Sequence, residues 1–411
     1  MDVVAALVYL AILLSAALGV YLQRRQARAA LAHRDAPPVE FAASVTLEQH
    51  RRSADYTIAR MRLSICETLL EAGLAIAWLA LLLGPLYALL SRVIAPGLTL
   101  SVAVVVAAAF VDHVLHLPLS LAETFGLETR FGFNRATPTT MLLDELKGAA
   151  LWLLFAVPLL YGLLLALRLS PDYWWIVGFA GALVFLVAMT IVYPSVIAPL
   201  FNRFTPLADE ELKARMEALL ERCGFQSGGL FVMDASTRST HGNAYFSGLG
   251  KAKRIVFFDT LLRKHTPDEI VAILAHELGH FKFGHVRQRL GLAAGVLFIG
   301  FLALHLSFSR GLASAFGLPD DPGVVLVVVM TAGAPILHLL SPLTNYLSRR
   351  AEFEADDYAR AICGREPMVS ALTKLSRDNL ATLTPDRLYA LFYYSHPPAP
   401  LRIAALGDEP R

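Results

Sequence analysis

VAILAHELGHF, residues 271–281, places His276 and His280 four residues apart with Glu277 beside the first. On an α-helix that spacing puts both imidazoles on one face, within reach of a single cation, and lets the neighbouring carboxylate take a proton from a metal-activated water. The donor set suits Zn2+, one per chain, which draws the pKa of a bound water toward about 7. Immediately upstream, PDEIVAIL (267–274) follows Thr266 and alternates apolar and polar positions at helical spacing, so a helix is expected through the motif.

Outward from this helix the chain becomes strongly apolar. Of 411 residues, 56% are hydrophobic and 17% charged, and the mean hydropathy is +0.54. That is more apolar surface than a water-soluble core needs, so much of it must face lipid. Seven stretches approach the roughly 20 residues that a crossing requires: 3–22, 68–90, 98–118, 148–168, 173–199, 288–308 and 323–345. The first lacks a basic leader and is followed by Arg24, Arg25 and Arg28, so it reads as a retained anchor. Cationic flanks stay on the cytoplasmic side, which sets the N-terminus outside. Seven crossings then bring the polar blocks 201–287 and 346–411 to the cytoplasmic side, where they can share one catalytic domain.

The expected organisation is helices 1–5 with their loops in 1–200, the HExxH segment in 201–287, helices 6 and 7 in 288–345, and a C-terminal segment in 346–411. The fold class is mainly α, with a small β-sheet in the polar domain. A net charge of +2, with no nucleic-acid motif, excludes nucleic acid as a partner. Membrane lipids are the implied surroundings. Cys66, Cys223 and Cys363 are widely spaced and read as free thiols.

A third ligand is needed. Ten residues after His276 stands Val286, which excludes the arrangement with a third histidine there, and 323–345 holds no aspartate of the intramembrane type. On a continuous helix His285 would point about half a turn from His276, so it reads as a helix-end histidine. SRRAEFEADDYARAICG (348–364) offers Glu352 and Asp356 one turn apart. Glu352 completes a His-His-Glu site, and Asp356 can accept from a ligating imidazole. Glu354 and Asp357 read as solvated charges. The competing reading is that this acidic cluster pairs only with Arg349, Arg350 and Arg360.

Several motifs together resemble the type I CAAX prenyl endopeptidases, integral-membrane gluzincin metallopeptidases. They are HELGH, SRRAEFEAD, GLETRFGFNRAT (126–137), YPSVIAPLFNRFTPL (193–207), HGNAYFSGLGKAKRIVFFDTLL (241–262) and YYSHPPAPLR (393–402). The resemblance implies seven transmembrane helices enclosing a chamber, and removal of the terminal tripeptide after a prenylated cysteine. It matches His276, His280 and Glu352 to the zinc ligands, Glu277 to the general base and Asp356 to the acid behind a ligand. GNAYFSG looks like the edge strand that aligns the substrate backbone, with Asn243 and Ala244 as contacts. His396 falls near substrate and suits oxyanion stabilisation. Arg402 is a candidate for a substrate carboxylate or for a structural ion pair.

Asp112, His113 and His116 follow an apolar run and suit either a chamber wall or the membrane interface. The partner is a peptide or protein, with prenylation at a C-terminal CAAX cysteine as the first expectation. A membrane quality-control endopeptidase without a prenyl requirement, and a non-catalytic lipid-binding receptor, are the other readings. Richness in Ala, Leu and Arg favours a bacterial inner membrane over the endoplasmic reticulum.

Overall fold

In the computed structural model seven helices are long and apolar enough to cross a bilayer, and residues 2–41, 44–247 and 254–407 are described. The first five are α1 (Val3–Ala32), α2 (Leu47–Leu90), α3 (Leu98–Glu128), α4 (Pro138–Leu169) and α5 (Trp174–Phe201). The polar segment that follows contains β1 (Phe204–Pro206), α6 (Glu210–Arg222), β2 (Leu230–Met233), β3 (Ala244–Ser247), β4 (Arg254–Phe258) and α7 (Pro267–Lys282). Two more crossings, α8 (His285–Ser309) and α9 (Pro322–Cys363), lead to α10 (Arg365–Asp378), α11 (Arg387–Tyr393) and α12 (Ala399–Ala405). Each apolar stretch expected to span coincides with one of these seven helices.

The sheet has the order β1-β2-β4-β3. β2 and β4 run parallel at its centre, and among the described residues β3 pairs antiparallel with β4 alone, with Ala244 opposite Phe257, so β3 is an edge. Apolar residues of α6, β4, α7 and α10 close one core, including Met216, Leu219, Ile255, Phe257, Leu274 and Leu372. Residues 248–253, including the final glycine of GNAYFSG, lie outside the described residues.

α7 begins as its sequence dictates. Thr266 caps the Glu269 N–H while Glu269 accepts from the Thr266 N–H, and Pro267 occupies the first turn where its missing donor costs nothing. Glu269, 3% exposed, is also held by Lys374 at 2.8 Å and by Ser370 at 2.5 Å, which ties the helix to α10.

α9 is 42 residues long, about 63 Å at 1.5 Å per residue, roughly twice the hydrocarbon thickness. One unbroken helix therefore crosses the bundle and enters the polar domain, and the boundary expected at 345/346 falls within it. Two close approaches fix its position. A Cβ on Gly323 would collide with the Ser101 carbonyl of α3, and a Cβ on Gly279 would lie 2.9 Å from the Ala355 Cα. At the second, α7 and α9 meet backbone to backbone, which only glycine allows.

Charged and polar contacts tie the early helices to each other and to the polar domain. Arg25 pairs with Asp386 at 2.8 Å, Arg52 donates to the Phe131 carbonyl at 2.6 Å, and Asp144 at the start of α4 pairs with Arg238 at 2.8 Å.

Candidate active site

The Gly279–Ala355 contact brings His276 and His280 against Glu352. Glu352 is 0% exposed, with one carboxylate oxygen 3.3 Å from His276 Nε2 and the other 3.3 Å from His280 Nε2. The two Nε2 atoms are 3.2 Å apart. Neither oxygen of Glu352 accepts a hydrogen bond. Arg402 and Arg289 approach it only at 3.6 and 3.8 Å, so this fully buried carboxylate, faced by two imidazole nitrogens, has room for a closer positive partner. Ligand atoms from all three residues lie within 4.8 Å of one another, and among the described residues this is the one such group. The donor set fits a divalent cation that takes nitrogen and oxygen ligands.

The outward nitrogens are also supplied. His276 Nδ1 is 2.8 Å from an Asp356 oxygen. His280 Nδ1 is 2.9 Å from His285 Nδ1, and His285 Nε2 is 3.1 Å from Glu354. With Nδ1 of each imidazole carrying its proton, both Nε2 lone pairs would be left to hold a metal. His285 is therefore more than a helix-end residue, and Glu354 is not merely solvated. The sequence reading assumed one helix through residue 285. Gly284, at φ 71°, ends α7 and starts α8, and so folds His285, 2% exposed, back onto His280. Asp357 pairs with Arg360 at 3.2 Å, as a helix-surface charge does.

Glu277 is partly buried beside this group. Burial, reinforced by the charge of Glu352 and opposed by His276, pushes its carboxyl up to about 7. A carboxylate with that affinity for protons suits acid–base work near neutral pH.

His396 converges on the same centre, with Nε2 3.2 Å from Glu352 and an exposed ring. α9 holds its loop: Asn345 donates to the Phe392 carbonyl at 2.5 Å and Arg349 to the Tyr394 carbonyl at 2.7 Å. Arg349 thus serves the loop and not the acidic cluster. Arg402, offered as a substrate contact, is instead 9% exposed and clamps both oxygens of Asp356 at 2.6 and 2.7 Å. Its five donors in a rigid fork match one carboxylate, so the structural ion pair is the arrangement found. Arg289 went unnoticed in the sequence; it lies 3.8 Å from Glu352 and is more than half exposed.

Asn243 and Ala244 open the edge strand β3. The Asn243 carbonyl accepts from Phe258 at 3.0 Å, while the Ala244 N–H donates to the Asn243 side chain at 2.8 Å. Asp112, His113 and His116 line a cavity of about 520 Å3 with Trp78 and Met330. Trp78 donates to Asp112 at 3.2 Å, and His113 is 3.0 Å from Glu145. The three cysteines are free.

A buried His-His-Glu group beside a proton-accepting glutamate, on a bundle of seven membrane-length helices, defines a membrane metallopeptidase. Comparison with known proteins makes this specific. Residues 26–203 match the family model described as CAAX prenyl protease N-terminal, five membrane helices, and residues 206–409 match peptidase family M48. The CAAX prenyl protease 1 homolog of Oryza sativa is 39% identical over 72% of this chain and 71% of its own. CAAX prenyl protease 1 of Saccharomyces cerevisiae is 37% identical over 71% of this chain and 68% of its own. The crystal structure of S. mikatae Ste24p superposes with a TM-score of 0.90 at 27% identity, covering 99% of each chain. The chain belongs to peptidase family M48, and it is a membrane metalloendopeptidase resembling the CAAX prenyl proteases.

Proposed function

We propose that the chain binds one Zn2+ through His276, His280 and Glu352 and hydrolyses peptide bonds of proteins prenylated at a C-terminal CAAX cysteine, releasing the terminal tripeptide. The observation that carries the metal assignment is the buried carboxylate of Glu352, which faces two imidazole nitrogens and accepts no hydrogen bond. When bound, zinc polarises the scissile carbonyl and acidifies the attacking water. Glu277 takes the proton from that water and delivers it to the leaving amine, so the water is divided between the new carboxylate and the new amine. His396 donates to the oxygen on which charge builds. The free edge of β3, at Asn243 and Ala244, aligns the peptide backbone by strand addition. Asp356, clamped by Arg402, orients His276.

The likeness to CAAX prenyl proteases supports the substrate, and Arg24, Arg25 and Arg28 after the first apolar run support an N-terminus outside and a cytoplasmic catalytic face. The Ala, Leu and Arg composition supports a bacterial inner membrane. Purified protein, after metal analysis, is incubated with matched prenylated and unprenylated CAAX peptides, and the products are mapped by mass spectrometry. A tripeptide released only from the prenylated member is the expected result. Equal cleavage of both would favour a quality-control endopeptidase, and chelator-insensitive or absent cleavage would remove the enzyme reading.

A further inference from the structure

A second polar cavity, of about 420 Å3, lies between α1, α2, α9 and α11 and is lined by Ser15, Gln23, Glu67, Glu71, His338 and Tyr393. Glu67 and Glu71 stand one turn apart on α2, on the face turned to this cavity. Among the described residues neither carboxylate has a hydrogen-bond or ion-pair partner. Arg60, the cation near Glu67, is engaged by Glu123 at 3.7 Å and donates to Tyr56 at 3.0 Å. Ionisable groups on a membrane helix are expensive and mark a ligand path when they face a cavity.

The independent sign of a ligand is Gln23. It is 4% exposed and donates to Thr68 at 2.9 Å, yet its carbonyl oxygen is buried with no donor. Two unpaired carboxyl groups and an orphan acceptor therefore share one cavity, and each is completed by an N–H donor carrying positive charge. These groups do not gather into a compact metal-ligand set, since the group at His276, His280 and Glu352 is the one found among the described residues. The spread suits an ammonium or guanidinium on a flexible stem. The wall opposite is fixed: His338 is held between the Ser15 hydroxyl at 2.7 Å and the Tyr393 hydroxyl at 3.1 Å.

We infer that this cavity is a subsite for a lysine or arginine side chain of the bound polypeptide, a reading that rests on the peptidase function proposed above. His338 and Glu352 are fourteen residues apart on α9, which is about 21 Å of helix. An extended chain advances about 3.3 Å per residue, so the cationic residue lies about six residues from the bond that is cut. Release of a tripeptide leaves too little chain on the C-terminal side, so the residue lies upstream.

The test measures binding of a fluorescent peptide series to full-length, zinc-loaded Glu277→Gln protein, with one lysine moved along an otherwise neutral sequence. The cleavage site is mapped separately with Glu277 intact. Affinity is expected to peak with lysine about six residues upstream, and Nε-acetylation there to weaken binding about tenfold, as for a half-buried charge pair. Glu67→Gln with Glu71→Gln should abolish the acetylation effect, and Glu67→Lys with Glu71→Lys should move the preference to glutamate. A flat lysine scan overturns the inference, as does an equal acetylation penalty in both proteins or displacement of the peptide by free calcium. The scan needs no cavity variant and stands if those variants fail to fold. If zinc-loaded protein with Glu277 cleaves nothing, the peptidase proposal falls while the lysine scan still reports on the cavity.

Discussion

Gly279→Ala tests whether the metal site is built by contact of two helix backbones. The added Cβ would lie 2.9 Å from the Ala355 Cα and 3.2 Å from both its Cβ and its carbonyl oxygen. Ordinary carbon contacts begin at about 3.5 Å, so α7 and α9 must separate by roughly half an ångström or more. Metal–ligand distances tolerate only about 0.2 Å. His276 and His280 ride on α7 and Glu352 on α9, so the separation opens the donor triangle directly. Overpacking of this kind costs about 2 kcal/mol, which corresponds to roughly thirtyfold in metal affinity. Competition with a chromophoric chelator measures that affinity in purified protein, and circular dichroism reports whether the helices persist. Ala355→Gly in the same protein removes one of the crowded atoms and should recover part of the loss. Zinc affinity within twofold of the parent, with the helices intact, would refute the argument that this backbone contact sets the site.

Glu277→Gln should retain zinc and lose turnover by about 10^2- to 10^4-fold, the usual share of a general base, and metal analysis beside single-turnover kinetics separates the two effects. His285→Ala removes the acceptor of the His280 Nδ1 proton and should weaken zinc binding by about 10- to 100-fold; unchanged affinity would return His285 to a packing role. Glu269→Gln should cost about 2 kcal/mol by weakening a buried charge-assisted pair. Burial opposes ionisation of Glu269, but Lys374, Ser370 and the Thr266 N–H outweigh it and hold the carboxyl below its ordinary 4.5. Its folded-state pKa is depressed, so the stabilisation is present above that value and disappears as pH falls through the folded one. The gap in melting temperature between parent and variant should therefore be full at neutral pH and close below about pH 4. A gap that does not depend on pH would show that the ion pair is not its source.

The membrane helices were legible because a crossing needs length and apolarity, both of which the sequence states outright. The group His276, His280 and Glu352 that the structure gathers, with Asp356 behind it, was legible because 276/280 and 352/356 carry helical spacing. His285 was not, since its direction depends on the left-handed Gly284, and a periodicity argument assumes the helix continues. Arg402 was undecided for a related reason: an arginine fork serves a substrate carboxylate or a neighbouring aspartate equally well until burial is known. The segment boundary drawn at 345/346 followed the fall in hydropathy, whereas a helix ends where its backbone hydrogen bonds end, here at Gly364 with φ 82°. Glu67 and Glu71 lay at or just inside the start of the second apolar run, and no pattern in the sequence shows that Gln23, His338 and Tyr393 close around them.

The length of α9 explains how a catalytic centre can be assembled from polar segments that two membrane crossings separate in sequence. A single helix carries Glu352, the proposed ligand, the acceptor Asp356 for one histidine, and Glu354 for the relay to the other. Four and eight residues before Glu354, Arg350 and Tyr346 continue the same face, and Arg350 pairs with Glu354 at 3.1 Å. Asn345 and Arg349, on the stretch leading out of the membrane, hold the loop that presents His396. The proposed ligand Glu352, the acceptor for His276 and the brace of the His396 loop are thus fixed on one axis, and Glu354 reaches His280 only through His285 of α8. α7 then has to dock at one place, Gly279 on Ala355, for the centre to be complete. Precision is concentrated in that helix-to-helix contact and in His285 at the start of α8, beyond which the crossing needs only to be long enough to span.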